Sequence, residues 1–150
     1  MKILFLIAAF GLSGAIHAQD EMEIPAADEW FETQYAPLYD DKPWDKLEEI
    51  VSFYAETIHD HDGEGGSYNS REWLAEALEG WKIEGWIRSE LADVDYDLLN
   101  PGTASFKAKW RDHYTGDYIA YECSWYLSDF RNGKWLITEF ATINCKDHDM

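Results

Sequence analysis

Two histidines and two aspartates alternate in the segment His59-Asp60-His61-Asp62. Side chains alternate along a strand, so His59 and His61 would share one face of a short strand. A neutral imidazole on that face could take or give a proton near pH 7, and a neighbouring aspartate could tune it. Three interpretations stay open: polar residues of a surface loop, an acid–base site at His59 or His61, and a metal site. For the last, the sequence offers no third ligand, so we name no metal-binding residue.

Three helices are predicted around this segment, from apolar residues that recur at spacings of three and four. The first covers residues 28–39. The second begins near Trp44 and reaches Ile58, where the histidine segment follows. The third begins at Asn69, which stands three residues before Glu72 in the spacing of a reciprocal cap.

From residue 91 onward, apolar and polar residues alternate, which predicts a meander of four antiparallel strands. The strands cover residues 91–99, 106–111, 119–127 and 135–146. Two tight turns would set the register, one pairing Tyr114 with Asp117 and the other pairing Arg131 with Lys134. Both registers place one apolar set of side chains on a shared inner face.

The inner face combines aromatic side chains with a few polar ones, which is typical of small-molecule pockets. The predicted ligand-binding residues are Tyr54, Trp86, Trp110, Tyr121, Trp125, Phe140, Thr142 and Asn144. The alternative is that the aromatic residues only fill a core. Thr142 and Asn144 favour a cavity, because polar side chains on an apolar face need partners. Glu122 and Glu139 are predicted to point outward, which leaves no carboxylate in the pocket.

The outer face of the predicted sheet is also apolar. It would carry Tyr118, Tyr126, Phe130, Trp135, Ile137 and Ile143. Such a patch exceeds what a monomer normally exposes, so we predict a homodimer through this face. Cover by the N-terminal helix is the alternative.

The same register separates the two cysteines. Cys123 would point to the inner face and Cys145 to the outer one. Side chains on opposite faces cannot bond without a bulge that shifts the alternation, so the sequence predicts against an intrachain disulfide.

The first 18 residues have the features of a cleavable signal peptide. Lys2 precedes a short apolar run, and small residues stand before the polar pair Gln19-Asp20. The apolar run is shorter than the roughly 20 residues that span a bilayer, so we expect no membrane span in the mature chain. The predicted organisation is a signal peptide (1–18), an acidic lead-in (19–27) and one domain (28–150), periplasmic or secreted.

The composition of the chain argues against two classes of protein, nucleic-acid binders and disordered acidic chains. The net charge of −18 repels phosphate backbones, so no nucleic-acid partner is expected. The 8 Trp, 9 Tyr and 7 Phe residues argue against a disordered acidic chain.

The order of elements, helices first and then a meander, is an α+β arrangement with helices on one face of a curved sheet. In residues 44–60, in Arg71-Glu72-Trp73-Leu74 and in residues 132–137, the chain resembles the nuclear transport factor 2-like superfamily, which includes the ketosteroid isomerase-like and SnoaL-like families. The resemblance implies a cone-shaped fold, with three N-terminal helices packed on a curved, mainly antiparallel sheet. It also implies a pocket that holds a small apolar molecule, and dimers through the outer sheet face.

Three functions stay open at this point. The first is an exported binding protein for a small apolar molecule. The second is a cyclase, isomerase or dehydratase that uses a pocket histidine and no cofactor. The third is a protein-interaction module that uses the outer sheet face. An isomerase that needs a carboxylate base is disfavoured, because no acidic residue is predicted on the inner face.

Overall fold

A six-stranded sheet, curved and open at both edges, forms most of the molecule. The computed structural model describes residues 23–148, so the predicted signal peptide lies outside the described residues. The strands are β1 (Tyr54–Asp60), β2 (Gly66–Asn69), β3 (Trp86–Asn100), β4 (Thr103–Tyr114), β5 (Tyr118–Arg131) and β6 (Lys134–Ile143). Their order in the sheet is β2-β1-β6-β5-β4-β3, with only β1 and β6 parallel to each other.

The helical segments before β3 cover one face of this sheet, and a short helix after β6 lies on the other face. They are α1 (Ala27–Trp30), which continues as a π-helical turn (Phe31–Tyr35) and a 3-10 turn (Ala36–Tyr39), then α2 (Leu47–Val51), α3 (Ser70–Ile83) and α4 (Cys145–His148). A 3-10 turn (Pro43–Lys46) leads into α2. The predicted α+β class is confirmed. Within residues 23–148, no helix has both the length and the apolar composition to cross a bilayer.

The helices pack through aromatic and aliphatic side chains. Phe31 and Tyr35 are fully buried and lie against the middle of the sheet, where the ring of Phe31 stacks on that of Phe106 at 4.6 Å between centroids. On α3, Leu74 and Leu78 face the core. The predicted cap of α3 is present, because Asn69 Oδ1 accepts a hydrogen bond from the backbone N–H of Glu72 at 3.1 Å.

The second predicted helix is too long. It ends at Val51, and β1 begins at Tyr54. Tyr54 and Ile58 are four residues apart, so they fit a helical stripe, but they also fall on one face of a strand. Pairing decides between the two, since β1 lies between β2 and β6 and its backbone bonds to both. Tertiary context here overrides the local pattern.

The turn between β4 and β5 has three residues instead of the predicted two. Gly116 and Asp117 both adopt left-handed backbone angles, with φ of 79° and 58°, and Tyr114 pairs with Tyr118. The extra residue shifts the register by one. Every side chain of β5 therefore changes face relative to the prediction, because the period of a strand is two.

The turn between β5 and β6 has the predicted form. Asn132 and Gly133 have φ of 52° and 83°, which is the two-residue hairpin turn expected of this pair, and Arg131 pairs with Lys134. The register then shifts between Leu127 and Ser128, where β6 carries an extra residue. This bulge lets both ends of β6 direct apolar side chains inward.

The predicted outer patch is largely absent as a result. Tyr126, Trp135 and Ile137 are buried in the core, with exposed fractions of 5%, 2% and 0%. Phe130 packs on the Trp135 ring at 5.6 Å. The homodimer stays a prediction, but the observation that motivated it is removed.

Cys123 and Cys145 form a disulfide, with their Cα atoms 5.1 Å apart, so the prediction against it was wrong. The shifted register places Cys123 on the outer face, opposite Ile143. The chain then turns from β6 into α4, which brings Cys145 over the same face. The bond therefore ties α4 to the back of the sheet.

Replacing both cysteines by alanine should lower the free energy of unfolding by about 3 kcal/mol, because a loop with a sequence separation of 22 is no longer closed in the unfolded chain. Urea denaturation under non-reducing conditions would measure the loss. Wild-type protein in excess reductant should match the double variant. An oxidised wild-type protein that still reacts with a thiol reagent under denaturing conditions would contradict the bond itself.

Candidate functional site: an acidic, aromatic cavity

A partly open cavity of about 320 Å³ lies between the inner face of the sheet and the helices. Its volume is within the range of small-molecule sites. The walls come from α3, from the helical segment before α2, and from every strand of the sheet except β2. The lining residues are Tyr39, Tyr54, Asp60, Asp62, Trp73, Leu74, Ala77, Trp81, Trp86, Ser89, Trp110, Asp112, Tyr114, Glu122, Ser124, Tyr126, Phe140 and Thr142.

Five of the eight residues predicted to bind ligand line this cavity. They are Tyr54, Trp86, Trp110, Phe140 and Thr142. That they contact a ligand stays a prediction.

The other three do not line the cavity. The one-residue shift of β5 turns Tyr121 and Trp125 to the outer face. Asn144 follows the end of β6, where its Oδ1 accepts a hydrogen bond from the backbone N–H of Lys146 at 3.0 Å. Asn144 thereby helps to begin α4.

His59 and His61 point away from the cavity and are not among the residues that line it. The expected pocket histidine is therefore not found in this cavity. Strand alternation brings Asp60 and Asp62 to the cavity instead. His59 Nδ1 lies 3.2 Å from Ser67 Oγ, and His61 Nε2 lies 3.2 Å from Glu139 Oε1. These contacts are made at the exterior.

Two carboxyl groups meet on the cavity wall, and one of them, Glu122, had been predicted to point outward. Asp112 of β4 is 4% exposed, and Glu122 of β5, which is exposed to solvent, also lines the cavity. The Ser89 hydroxyl donates to Asp112 Oδ1, and Asp112 and Glu122 are close enough that each influences the other's pKa. Trp86 Nε1 in turn donates to Ser89 Oγ at 2.9 Å.

The pair holds a proton more tightly than isolated carboxyl groups do. Burial raises the pKa of Asp112. Desolvation raises the pKa of Glu122 as well, and the neighbouring charge of Asp112 raises it further. Two carboxylates this close cannot both ionise easily, so the pair retains a proton to higher pH than isolated carboxyl groups do.

Asp60 and Asp62 are held at the other side of the cavity by neutral donors. Asp60 Oδ2 accepts from Trp73 Nε1 at 2.9 Å, and its Oδ1 accepts from the backbone N–H of Asp62 at 2.9 Å. Asp62 accepts from the backbone N–H of Thr142 at 2.7 Å and from its hydroxyl at 2.6 Å. These bonds orient the indole of Trp73 and fix the end of β1 against β6.

Three tyrosine hydroxyls form a hydrogen-bonded cluster beside the cavity. Tyr35 Oη lies 3.0 Å from Tyr39 Oη and 2.6 Å from Tyr54 Oη. Burial raises the pKa of all three phenols, so they remain protonated and keep the ability to donate hydrogen bonds. Tyr39 and Tyr54 reach the cavity and can offer a donor to a bound oxygen.

Residues 23–148 contain no group of three or more His, Cys, Asp or Glu side chains that could hold a metal ion. The carboxyl groups of the cavity occur as two separate pairs on different strands. With the tyrosine hydroxyls and the aromatic walls, they can bind and orient an organic molecule and exchange protons with it.

Solved structures share this fold at low sequence identity, whereas the sequence matches no protein-family model and no curated protein. An uncharacterised cystatin-like protein of Caulobacter vibrioides has a TM-score of 0.58 at 15% identity, over 82% of this chain and 92% of that chain. A protein of Novosphingobium aromaticivorans, proposed to be a scytalone dehydratase, has a TM-score of 0.57 at 16% identity, over 79% and 83%. A proposed polyketide cyclase of Xanthomonas campestris pv. campestris has a TM-score of 0.53 at 15% identity, over 76% and 87%.

At these identities the likeness shows the fold alone. The chain shares the cystatin-like α+β fold of these proteins, which agrees with the fold that the resemblance drawn from the sequence implied.

Glu122→Gln should change how stability depends on pH. Above the ordinary glutamate value of 4.5, the folded wild-type protein keeps a proton that the unfolded chain has released. Its free energy of unfolding therefore falls as pH rises from 4.5 through the raised pKa of Glu122. The variant lacks this loss, so it should gain stability relative to wild type from pH 4.5 towards neutrality.

Urea denaturation across this pH range would measure the difference. Glu79→Gln, at an exposed position of α3, is the matched control and should stay parallel to wild type. A constant difference between Glu122→Gln and wild type at all pH values would contradict the coupled pair.

Proposed function

We propose that this chain is an exported protein that binds a small, ring-containing molecule in the cavity described above. The observation that carries the proposal is the combination of aromatic walls with polar groups placed at two defined positions. Trp73, Trp110 and Phe140 offer flat apolar surfaces, and Asp112 with Glu122 offers polar contacts that would orient the molecule. A packed core would have left no space of about 320 Å³ beside these side chains.

Export is supported by two independent features. The first 18 residues have the composition of a signal peptide. The Cys123–Cys145 disulfide belongs to a kind of bond that persists in the periplasm or outside the cell and is rare in the reducing cytosol. A binding protein in such a compartment would meet its molecule without the abundant cofactors of the cytosol.

Filling the cavity should abolish binding while leaving the fold intact. Ala77 of α3 lines the cavity, so Ala77→Phe would place a ring where the molecule sits. We expect 1-naphthalenemethanol, a neutral ring probe, to bind wild type and to lose at least about tenfold in affinity in the variant. Isothermal titration calorimetry measures both.

The matched control is Ala92→Phe, at an exposed position of β3, which should bind the probe as wild type does. Circular dichroism of both variants would verify the fold. Equal affinity of Ala77→Phe and wild type would show that the probe binds elsewhere, and absence of binding to wild type would count against a ring-binding cavity.

The Asp112–Glu122 pair also favours a second candidate, a cofactor-independent enzyme that moves protons on a bound molecule. The proteins of similar fold include ones proposed to be a polyketide cyclase and a dehydratase. In this chain the protonated Glu122 would act as the acid and the ionised Asp112 as the base, so the site needs no histidine. The hydroxyl of Tyr39 or Tyr54, whichever keeps its proton free of the bonds to Tyr35, would stabilise negative charge that develops on a substrate oxygen.

Proton abstraction can be tested with a simple ketone. In D₂O, wild-type protein should accelerate exchange of the α-protons of 2-tetralone, as followed by NMR. Glu122→Gln should slow the protein-catalysed exchange by about 100-fold, yet keep its affinity for 1-naphthalenemethanol. Exchange at the buffer rate with wild-type protein would reject this candidate and would leave the binding function standing.

A further inference from the structure

All charged side chains that line the cavity are acidic. Four carboxyl side chains line it, two from the end of β1 and two from β4 and β5: Asp60, Asp62, Asp112 and Glu122. The described lining contains no lysine, arginine or histidine. Even with one proton shared between Asp112 and Glu122, the cavity carries a net negative charge near neutral pH.

Neighbouring basic residues do not neutralise this charge. Among residues 23–148, the ion pairs of the sheet are made elsewhere, for example between Arg88 and Glu90 at 3.0 Å and between Arg131 and Asp129 at 2.7 Å. The donors that hold the cavity carboxylates are neutral indole, hydroxyl and backbone N–H groups. Such donors stabilise a carboxylate and leave its charge available to a ligand.

Aromatic rings surround the same space and add a second attraction for positive charge. The indoles of Trp73, Trp81, Trp86 and Trp110 all line the cavity. The face of an indole attracts a cation through its quadrupole, and most strongly where water is excluded. Trp110 and Glu122 are directly opposite each other on β4 and β5, so an indole and a carboxyl group adjoin at one point of the wall.

A metal ion does not fit this arrangement. Divalent cations need several oxygen ligands that converge at about 2.0 to 2.6 Å, and residues 23–148 contain no such cluster. A cation that carries an apolar body can instead use separated carboxylates, aromatic faces and the full volume of about 320 Å³.

We propose that the molecule bound in this cavity is an organic cation, namely an amine or quaternary ammonium group attached to a ring. The inference rests on the proposed binding function and names its ligand class. The charged group lies beside Glu122 and Asp112 and against Trp110, and the ring occupies the aromatic space towards Trp73 and Phe140. An anionic molecule of the same shape is excluded by repulsion.

Three naphthalene probes of one shape separate charge from shape. They are 1-naphthylmethylamine (a cation), 1-naphthalenemethanol (neutral) and 1-naphthoate (an anion), titrated into the full chain by calorimetry near neutral pH. We expect the amine to bind at least about tenfold more tightly than the alcohol, and the anion not to bind measurably.

The variant Glu122→Gln tests whether the charged group of the ligand lies beside Glu122. At a pH where the wild-type pair has released its shared proton, the variant should bind the amine at least about tenfold more weakly than wild type and stay within about twofold of wild type for the alcohol. Glu79→Gln, which removes an exposed charge on α3, should leave both affinities unchanged. In wild type the amine affinity should also rise with pH as the carboxyl pair gives up its shared proton, and this rise should vanish in Glu122→Gln.

The outcomes distinguish the two proposals. An alcohol that binds as tightly as the amine, or an equal loss of both probes in Glu122→Gln, would overturn the cationic ligand and leave a ring-binding cavity. Failure of all three probes to bind wild type would count against the binding function itself.

Discussion

The three-residue turn between β4 and β5 is the constraint on which the rest of the site depends. Gly116 and Asp117 take left-handed backbone angles there, and this geometry places Tyr118, rather than Asp117, opposite Tyr114. One residue in the turn decides the face of every side chain along β5. It brings Glu122 to Asp112 inside the cavity and sends Cys123 to the back of the sheet, where it bonds with the residue that opens α4.

Much of the fold follows from local patterns in the sequence. The cap at Asn69, the hairpin at Asn132-Gly133 and the alternation of acidic and apolar residues in β3 each specify their element through nearby residues alone. The aromatic half of the site is predictable for the same reason. Trp110 lies on β4 and Phe140 lies on β6 beyond its bulge, where the inner faces were assigned correctly, so their place in the cavity follows from the period of the strand.

The carboxylate half of the site is not predictable in this way. Alternation along β5 is the same whether its even or its odd residues face inward, and only the turn length and the bulge opposite Leu127 and Ser128 decide. Hydrophobicity favours the register that the structure does not adopt, because the odd residues of β5, such as Trp125 and Leu127, are more apolar than the even residues that face the cavity. The left-handed pair Gly116-Asp117 was the available signal, since glycine and aspartate tolerate such angles and together favour a longer turn.

The tryptophans give the protein a built-in optical reporter. Of its 8 indoles, four line the cavity: Trp73, Trp81, Trp86 and Trp110. Trp73 donates its N–H to Asp60 and Trp86 donates to Ser89, so the excited states of both rings are sensitive to the polar groups that a ligand would contact. Entry of a molecule that does not absorb near 280 nm would change the tryptophan emission without any label. Fractions from the native source could therefore be screened by the shift in emission wavelength of the protein.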